Sequence, residues 1–315
     1  MIKNKKILLT GGCGFIGNTL SSAIISNNPA DFLVIDKMTY VSDRTFHDKN
    51  NINIVATDIT SDEAFDLVLQ FKPDIIVNMA AESHVDRSIE EPDIFLKSNV
   101  YGTTNLMNAA LKLESVPLFV QISTDEIYGD IASGWSKEDD PRKTSSPYSA
   151  SKASAEMFVE AYGRTFKLPY IITRSSNNYG PYQHIEKFIP KAINNILNGK
   201  KVPVYGDGLQ ERDWVYVEDN CDAIIAIVNN AELASNSIFN IGGISTCTNI
   251  EILTQICILM SEDPKELIDY VKDRPGHDRR YAIDIKKIKD TFGWEPKTSL
   301  HDGLLKTIEW HRKKV

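Results

Sequence analysis

The 315-residue sequence predicts an α/β fold: a doubly wound parallel sheet followed by a smaller mixed α/β domain. Three observations carry the prediction. Apolar, β-branched runs alternate with longer amphipathic segments through the first half, the pattern of strands buried on both faces and joined by helical crossovers. A glycine-rich turn follows the first run directly. Beyond about Arg174 the alternation gives way to short elements between Gly-, Pro- and Asn-rich loops, among them "NNYGPYQ", "YGDGLQERDW", "NIGG" and "DRPGHDRR".

In chain order, strands are predicted over 5–10, 32–36, 52–56, 75–80, 118–123 and 170–174. Helices are predicted between them over 15–26, 62–71, 93–113 and 147–166. In the second part, helices are predicted over 185–198, 218–230, 249–260 and 299–312. The expected domains are 1–175 and 176–315. No Pro/Ser-rich linker separates them, so they are expected to pack tightly and interleave. The long polar loops of the second suit ligand contacts.

A composition of 42% hydrophobic and 25% charged residues is that of a soluble globular protein and argues against disorder. No apolar run approaches the roughly 20 residues needed to span a bilayer. The opening "MIKNKKILLTGG" has lysines before an apolar run, but the run stops at a glycine turn, short of a signal-peptide core of about 7–15 residues. It reads as a first strand in a cytoplasmic protein. The net charge of −8 disfavours general nucleic-acid binding and leaves room for an anionic small substrate where basic residues cluster. Cys13, Cys221, Cys247 and Cys257 form no C-x-x-C pair or zinc spacing, and His84, His184 and His277 stand apart from other ligand types. Reduced, mostly buried thiols and no metal are expected.

The first strand runs into Thr10-Gly11-Gly12-Cys13-Gly14-Phe15-Ile16-Gly17. In a Rossmann-type sheet, Gly11 would permit the tight turn, Gly14 the approach of a pyrophosphate, and Gly17 the close seating of the helix whose N-terminus faces the phosphates. The spacing alone also suits a purely structural turn; strand before and helix after favour a dinucleotide site. Asp36 ends the second strand and can accept from a ribose diol, which favours NAD over NADP, although neighbouring Lys37 would suit a 2′-phosphate. Asp58 and Ile59 are placed to contact adenine, and Ala80 and Ala81 are small enough for a cofactor to lie on their backbone.

Tyr148 and Lys152 are four residues apart, on one face of a helix. A lysine cation would lower the phenol pKa from its reference of about 10. Such a tyrosine can take a proton from a substrate hydroxyl, and the lysine can reach a nicotinamide ribose. By itself Tyr-x-x-x-Lys is more often a solvated helix face. Here it follows the glycine loop by about 130 residues, with "STDEIYG" between them. Asp125 and Glu126 would alone read as a solvated turn. Neighbours on a strand point to opposite faces, so both acids can flank one substrate only if the chain bends after Thr124.

The glycine loop with Tyr-x-x-x-Lys resembles the extended short-chain dehydrogenase/reductases. "AAESHVDRS" (80–88), "STDEIYGD" (123–130), "YSASKA" (148–153), "SNNYGPYQ" (176–183), "YGDGLQERDW" (205–214) and "RPGHDRRYAID" (274–284) narrow the resemblance to the dTDP-glucose 4,6-dehydratases, over nearly the whole chain. The segment between Asp130 and Tyr148 is more compact than in many members. The resemblance implies oxidation at sugar C4, elimination of water across C5 and C6, and hydride return to C6, with NAD regenerated in each turnover. It implies Tyr148 as the base at O4 with Thr124 on the same oxygen, Glu126 as the base at C5 and Asp125 as the acid at C6.

It adds Phe15, Ile16, Lys37, Thr39, Ser98 and Asn178 to the cofactor side. It places Ser83, Asn177, Phe188, Pro203, Tyr205, Asn240 and His277 on the substrate side of a substrate-binding domain. Lys187, Arg212 and Arg274 are the candidate cations for the nucleotide diphosphate, and each could equally be surface charge. A homodimer through helices 93–113 and 147–166 is also implied. A UDP-glucose 4,6-dehydratase would keep the same acids. A 4-epimerase or UDP-glucuronate decarboxylase needs no C5/C6 elimination, and a non-catalytic NAD-binding scaffold has little use for the full set.

Overall fold

The computed structural model of the chain describes residues 2–313. Its strands are β1 (Lys6–Thr10), β2 (Asp31–Asp36), β3 (Asn53–Ala56), β4 (Ile75–Asn78), β5 (Leu118–Thr124), β6 (Tyr170–Ser175), β7 (Asn177–Tyr179), β8 (Val202–Tyr205), β9 (Glu211–Tyr216), β10 (Ser237–Ile241), β11 (Thr246–Thr248) and β12 (Ile268–Val271). Among the described residues, seven strands form the main sheet, ordered β10-β6-β5-β4-β1-β2-β3 and parallel throughout.

Side-chain alternation sends Leu8 and Leu9 to opposite faces, and both are fully buried. Leu9, Val34, Val77 and Val120 pack beneath helices Phe15–Ser26 and Val217–Asn229. Leu8, Ile35, Ile76 and Phe119 pack beneath helices Asp62–Phe71, Gly102–Ala110 and Pro147–Phe166. A second core, with Ile189, Ile193, Val204, Ile252, Ile256 and Leu304, holds the smaller layer. There β9 joins β7 and β11, and β8 pairs with β12. Among the described residues no helix is long and apolar enough to cross a membrane.

The long helix Pro147–Phe166 starts on a reciprocal cap between Ser146 and Ser149, with Pro147 in the first turn. The helix expected over 93–113 is broken by wider π turns at Leu96–Tyr101. There the buried Asn99 accepts from the Glu82 backbone and donates to the Ser151 hydroxyl, tying the loop after β4 to the Tyr148 helix. The strand expected to reach residue 80 stops at Asn78, whose amide bonds Thr10, Thr103 and Gln121. β10 was not anticipated from the sequence. It comes from the second half of the chain and completes the main sheet beside β6, so the two halves interleave.

Candidate active site

Between β1 and its helix, Gly11 adopts a φ of +70°, and a Cβ there would lie 2.8 Å from the Ala80 backbone. A Cβ on Gly17 would lie 2.2 Å from the Gly11 carbonyl oxygen. Neither position accepts a side chain. Gly14 caps the helix without a side-chain hydrogen bond, leaving first-turn N–H groups available to an anion.

Asp36 is fixed by the Cys13 N–H at 2.9 Å and by the Met38 N–H and Ser42 hydroxyl, each at 2.9 Å. Lys37 forms a 2.9 Å ion pair with Asp58, which neutralises the cation a 2′-phosphate would need. Gly11, Gly14, Gly17, Asp36, Lys37, Ser42 and Asp58 line one cleft of about 500 Å³ together with Phe15, Ile16, Thr39, Ile59, Ala80, Ala81, Ser98, Tyr148 and Lys152. The glycine cradle, the diol acceptor and the paired lysine fit NAD.

β5 ends at Thr124, and a tight 3₁₀ turn, Asp125–Tyr128, follows at once. Thr124 Oγ1 accepts from the Glu126 N–H at 3.2 Å, which caps the turn. The bend that the two acids require is therefore present. In such a turn successive side chains are rotated by about 120° and no longer alternate across a sheet. Asp125 is only 2% exposed, whereas Glu126 is partly exposed.

Their electrostatic surroundings differ. Burial raises the Asp125 pKa, and Glu126 and Asp213 raise it further. Burial also raises that of Glu126, and Arg212, Lys187 and Arg274 offset only part of the rise. Both carboxyls are shifted upward, Asp125 with two further acids adding to the rise and Glu126 with three cations opposing it.

Lys152 donates to the Ile122 carbonyl at 2.6 Å. Burial brings its pKa down to about 8, with Glu156 opposing. The expected lowering of the Tyr148 pKa by Lys152 is corrected by the structure. Burial pushes the phenol upward, Glu126 adds to this, and a hydrogen bond with Thr124 pulls the other way. The lysine's proton is directed at a backbone carbonyl instead of the phenol.

On the substrate side, Ser83 and Lys187 line the cleft, and Lys187 Nζ donates to the Ser83 carbonyl at 2.8 Å. Arg274 pairs with Asp86 at 2.8 Å, joining the two halves of the chain. Arg212 donates to the Asp278 carbonyl at 2.9 Å and lies 4.3 Å over the Tyr281 ring. His277 pairs with Asp273 at 2.7 Å and meets the Tyr205 ring edge-on at 6.3 Å. Phe188 packs against Trp214. The buried Asn177 Oδ1 has no hydrogen-bond partner among the described residues.

Thr124, Asp125, Glu126, Asn177, Asn178, Phe188, Pro203, Tyr205, Arg212, Asn240, Arg274 and His277 lie outside the cleft lining. Asn178 donates to the Ser176 carbonyl, and Pro203 and Tyr205 sit on β8 against β12. Asn240 is also corrected. It is fully buried, its Oδ1 accepts from the Tyr128 hydroxyl at 2.8 Å, and its Nδ2 donates to the Ser136 and Asp284 carbonyls. It braces the acid-bearing turn from behind.

The cleft also contains residues that sequence reasoning missed: Tyr40, Ser42, Glu82, His84, Arg87, Tyr182, Gln183, His184 and Glu186. Tyr40 donates to Glu186 at 3.0 Å, and His84 approaches the same carboxylate at 3.7 Å. Glu186 could have been found from its place beside Lys187. Tyr40 has no local signature, since the loop after β2 carries it there. Among the described residues no group of three His, Cys, Asp or Glu side chains could hold a metal ion.

The sequence family described as GDP-mannose 4,6 dehydratase matches residues 8–307. The chain is 43% identical to the low-salt glycan biosynthesis protein Agl12 of Haloferax volcanii, over 97% of this chain and 98% of that one. It is 42% identical to the dTDP-glucose 4,6-dehydratase of Neisseria meningitidis serogroup B, over 98% and 93% of the two chains. The crystal structure of DesIV, a dTDP-glucose 4,6-dehydratase from Streptomyces venezuelae with NAD and TYD bound, superposes with a TM-score of 0.93. Its identity is 38%, over 98% of this chain and 97% of that one.

Proposed function

The chain belongs to the GDP-mannose 4,6 dehydratase family, with dTDP-glucose 4,6-dehydratases among its relatives, and we propose that it converts dTDP-glucose to dTDP-4-keto-6-deoxyglucose. The observation that carries this reading is the pair Asp125 and Glu126, set in one turn beside Tyr148 with opposite electrostatic surroundings. Epimerisation or decarboxylation gives that pair no task.

NAD, held by the Gly11–Gly17 loop and Asp36, supplies a reversible two-electron acceptor when bound. Tyr148 is the group at O4, and in its phenolate form, which the Thr124 hydrogen bond favours and burial opposes, it takes the O4 proton as C4 becomes a ketone. The ketone makes the C5 proton acidic, and Glu126 takes it. Asp125, whose proton affinity burial raises, gives its proton to the C6 oxygen, which leaves as water. The proton released at O4 balances the one Asp125 donates, and Glu126 returns a proton to C5 when C6 is reduced. Lys187, Arg212 and Arg274 form the positive wall that suits the nucleotide diphosphate, and their charges favour the carboxylate form of Glu126 against its burial.

We assign residues 1–175 to the cofactor side and 176–315 to the substrate side, interleaved through β10. A homodimer is supported by exposed Leu96 and Tyr101 on the π turns and by exposed Met157 and Phe158 on the neighbouring long helix, which would pack against a second copy. A cytoplasmic location suits four free cysteines and a nucleotide-sugar substrate.

The test is incubation with dTDP-glucose and UDP-glucose separately, read by mass and by solvent deuterium at C5. Loss of water from dTDP-glucose without consumption of added NAD, with deuterium at C5, is expected. An epimerised or decarboxylated product overturns the reading, and water loss from UDP-glucose alone transfers it to the uridine substrate.

A further inference from the structure

Arg174 is a fully buried cation that no step above uses. It lies on β6, in register with Ser123 of β5, just before the acid-bearing turn. Its Nη2 donates to Glu156 Oε2 at 2.8 Å, and its Nε reaches both Glu156 oxygens at 3.2 Å. Its Nη1 donates to the Tyr128 hydroxyl at 2.7 Å and to the Glu138 carbonyl at 2.9 Å. Tyr128 is the last residue of the turn that begins at Asp125.

Glu156 is fully buried and also receives Arg142 at 2.8 Å. On the long helix it follows Tyr148 and Lys152 at successive four-residue steps, so the three share a face. The turn is held at its far end as well: the Lys143 N–H donates to the Ile127 carbonyl at 2.8 Å. At Gly129, φ is +71° and a Cβ would lie 1.9 Å from the Lys143 carbonyl oxygen.

We propose that Glu156, Arg174 and Tyr128 are positioning residues that fix the turn bearing Asp125 and Glu126 against the helix bearing Tyr148 and Lys152. The geometry stands by itself; its catalytic consequence rests on the dehydratase reading. A buried ion pair contributes little net stability but can specify one arrangement. Oxidation at C4 uses Tyr148 and Lys152 on the helix, with Thr124 at the end of β5, ahead of the turn. Elimination also needs both acids aligned on C5 and C6, and a displacement of about 1 Å can cost on the order of a hundredfold in rate. Loosening the turn therefore slows elimination more than oxidation.

The test uses Tyr128→Phe, which keeps the ring and removes the hydroxyl, and Arg174→Lys, which keeps a charge opposite Glu156 but cannot also reach Tyr128. Amide hydrogen exchange of the purified protein without sugar, followed in peptides by mass, is the first readout. Exchange across residues 124–129 is expected to quicken about tenfold while the helix 147–166 is unchanged. The second readout is single turnover of dTDP-glucose. Sugar that has lost two hydrogens but no water should accumulate, with water loss about ten- to a hundredfold slower.

Unchanged exchange in both variants, or oxidation and water loss slowed by one common factor, overturns the inference. If one variant does not fold, the other decides. If the unsubstituted protein removes water from neither sugar, the reaction reading fails, and the exchange measurement still decides the positioning role.

Discussion

Glu156 lies one helical turn beyond Lys152, and its charge opposes the burial that brings the lysine pKa down to about 8. Burial thus brings the loss of the Lys152 proton down to about pH 8 from the usual lysine range. Activity that depends on that proton is expected to fall as pH rises through about 8. Glu156→Gln removes the group favouring the charged form, so the alkaline limb should move to lower pH. A kcat/KM profile from pH 6 to 10 in both proteins checks the sign.

Glu126→Gln keeps the shape of the turn and removes the base. The variant is expected to oxidise the sugar but not dehydrate it, with water loss reduced by about 10²–10⁴-fold. Mass analysis of single-turnover products, with C5 protiated in deuterium oxide, is the measurement.

Asp125→Asn separates the acid from the base. Glu126 should still exchange the C5 hydrogen with solvent deuterium while the C6 oxygen stays in place. Deuterium at C5 without water loss is the expected outcome; loss of both together would place the two acids in one role.

Arg174→Met leaves Glu156 fully buried and short of its main partner. Unfolding free energy, measured in urea, should fall by about 3–5 kcal/mol. Adding Glu156→Leu should recover much of the loss, because a hydrophobic pair removes the unpaired buried charge.

Gly17→Ala puts a methyl group 2.2 Å from the Gly11 carbonyl oxygen. The helix must move off the loop, and NAD retained after gel filtration should drop sharply while the far-UV spectrum of the sheet and helices persists.

Local periodicity and local spacing were legible without coordinates. The apolar runs that became β1, β2, β4, β5 and β6 are buried on both faces, so they show as nearly continuous runs. Helices Asp62–Phe71 and Pro147–Phe166 start on Ser61 and Ser146, good cap residues in plain view. β10 was missed because a five-residue strand beside glycines has little pattern of its own, and its pairing partner lies more than sixty residues earlier, in β6. Asn240 was misread for a related reason. Its motif points to a ligand, but only the packed structure shows its amide already bonded to Tyr128, Ser136 and Asp284.

By itself the sequence determined the inventory: a glycine loop after a strand, Asp36 one strand later, Tyr148 and Lys152 one turn apart, and two adjacent acids after Thr124. Covalent neighbourhood and helical period set all of these. The tertiary structure decided how each group's proton affinity is shifted and where it points. The bend after Thr124 depends on a cap and on backbone contacts with Lys143. The contrast between Asp125 and Glu126 depends on Asp213, Lys187, Arg212 and Arg274. Proton affinity in a buried site is set by desolvation and by charges brought together from distant parts of the chain as well as by neighbours such as Glu126, and only the last of these is written in adjacent residues.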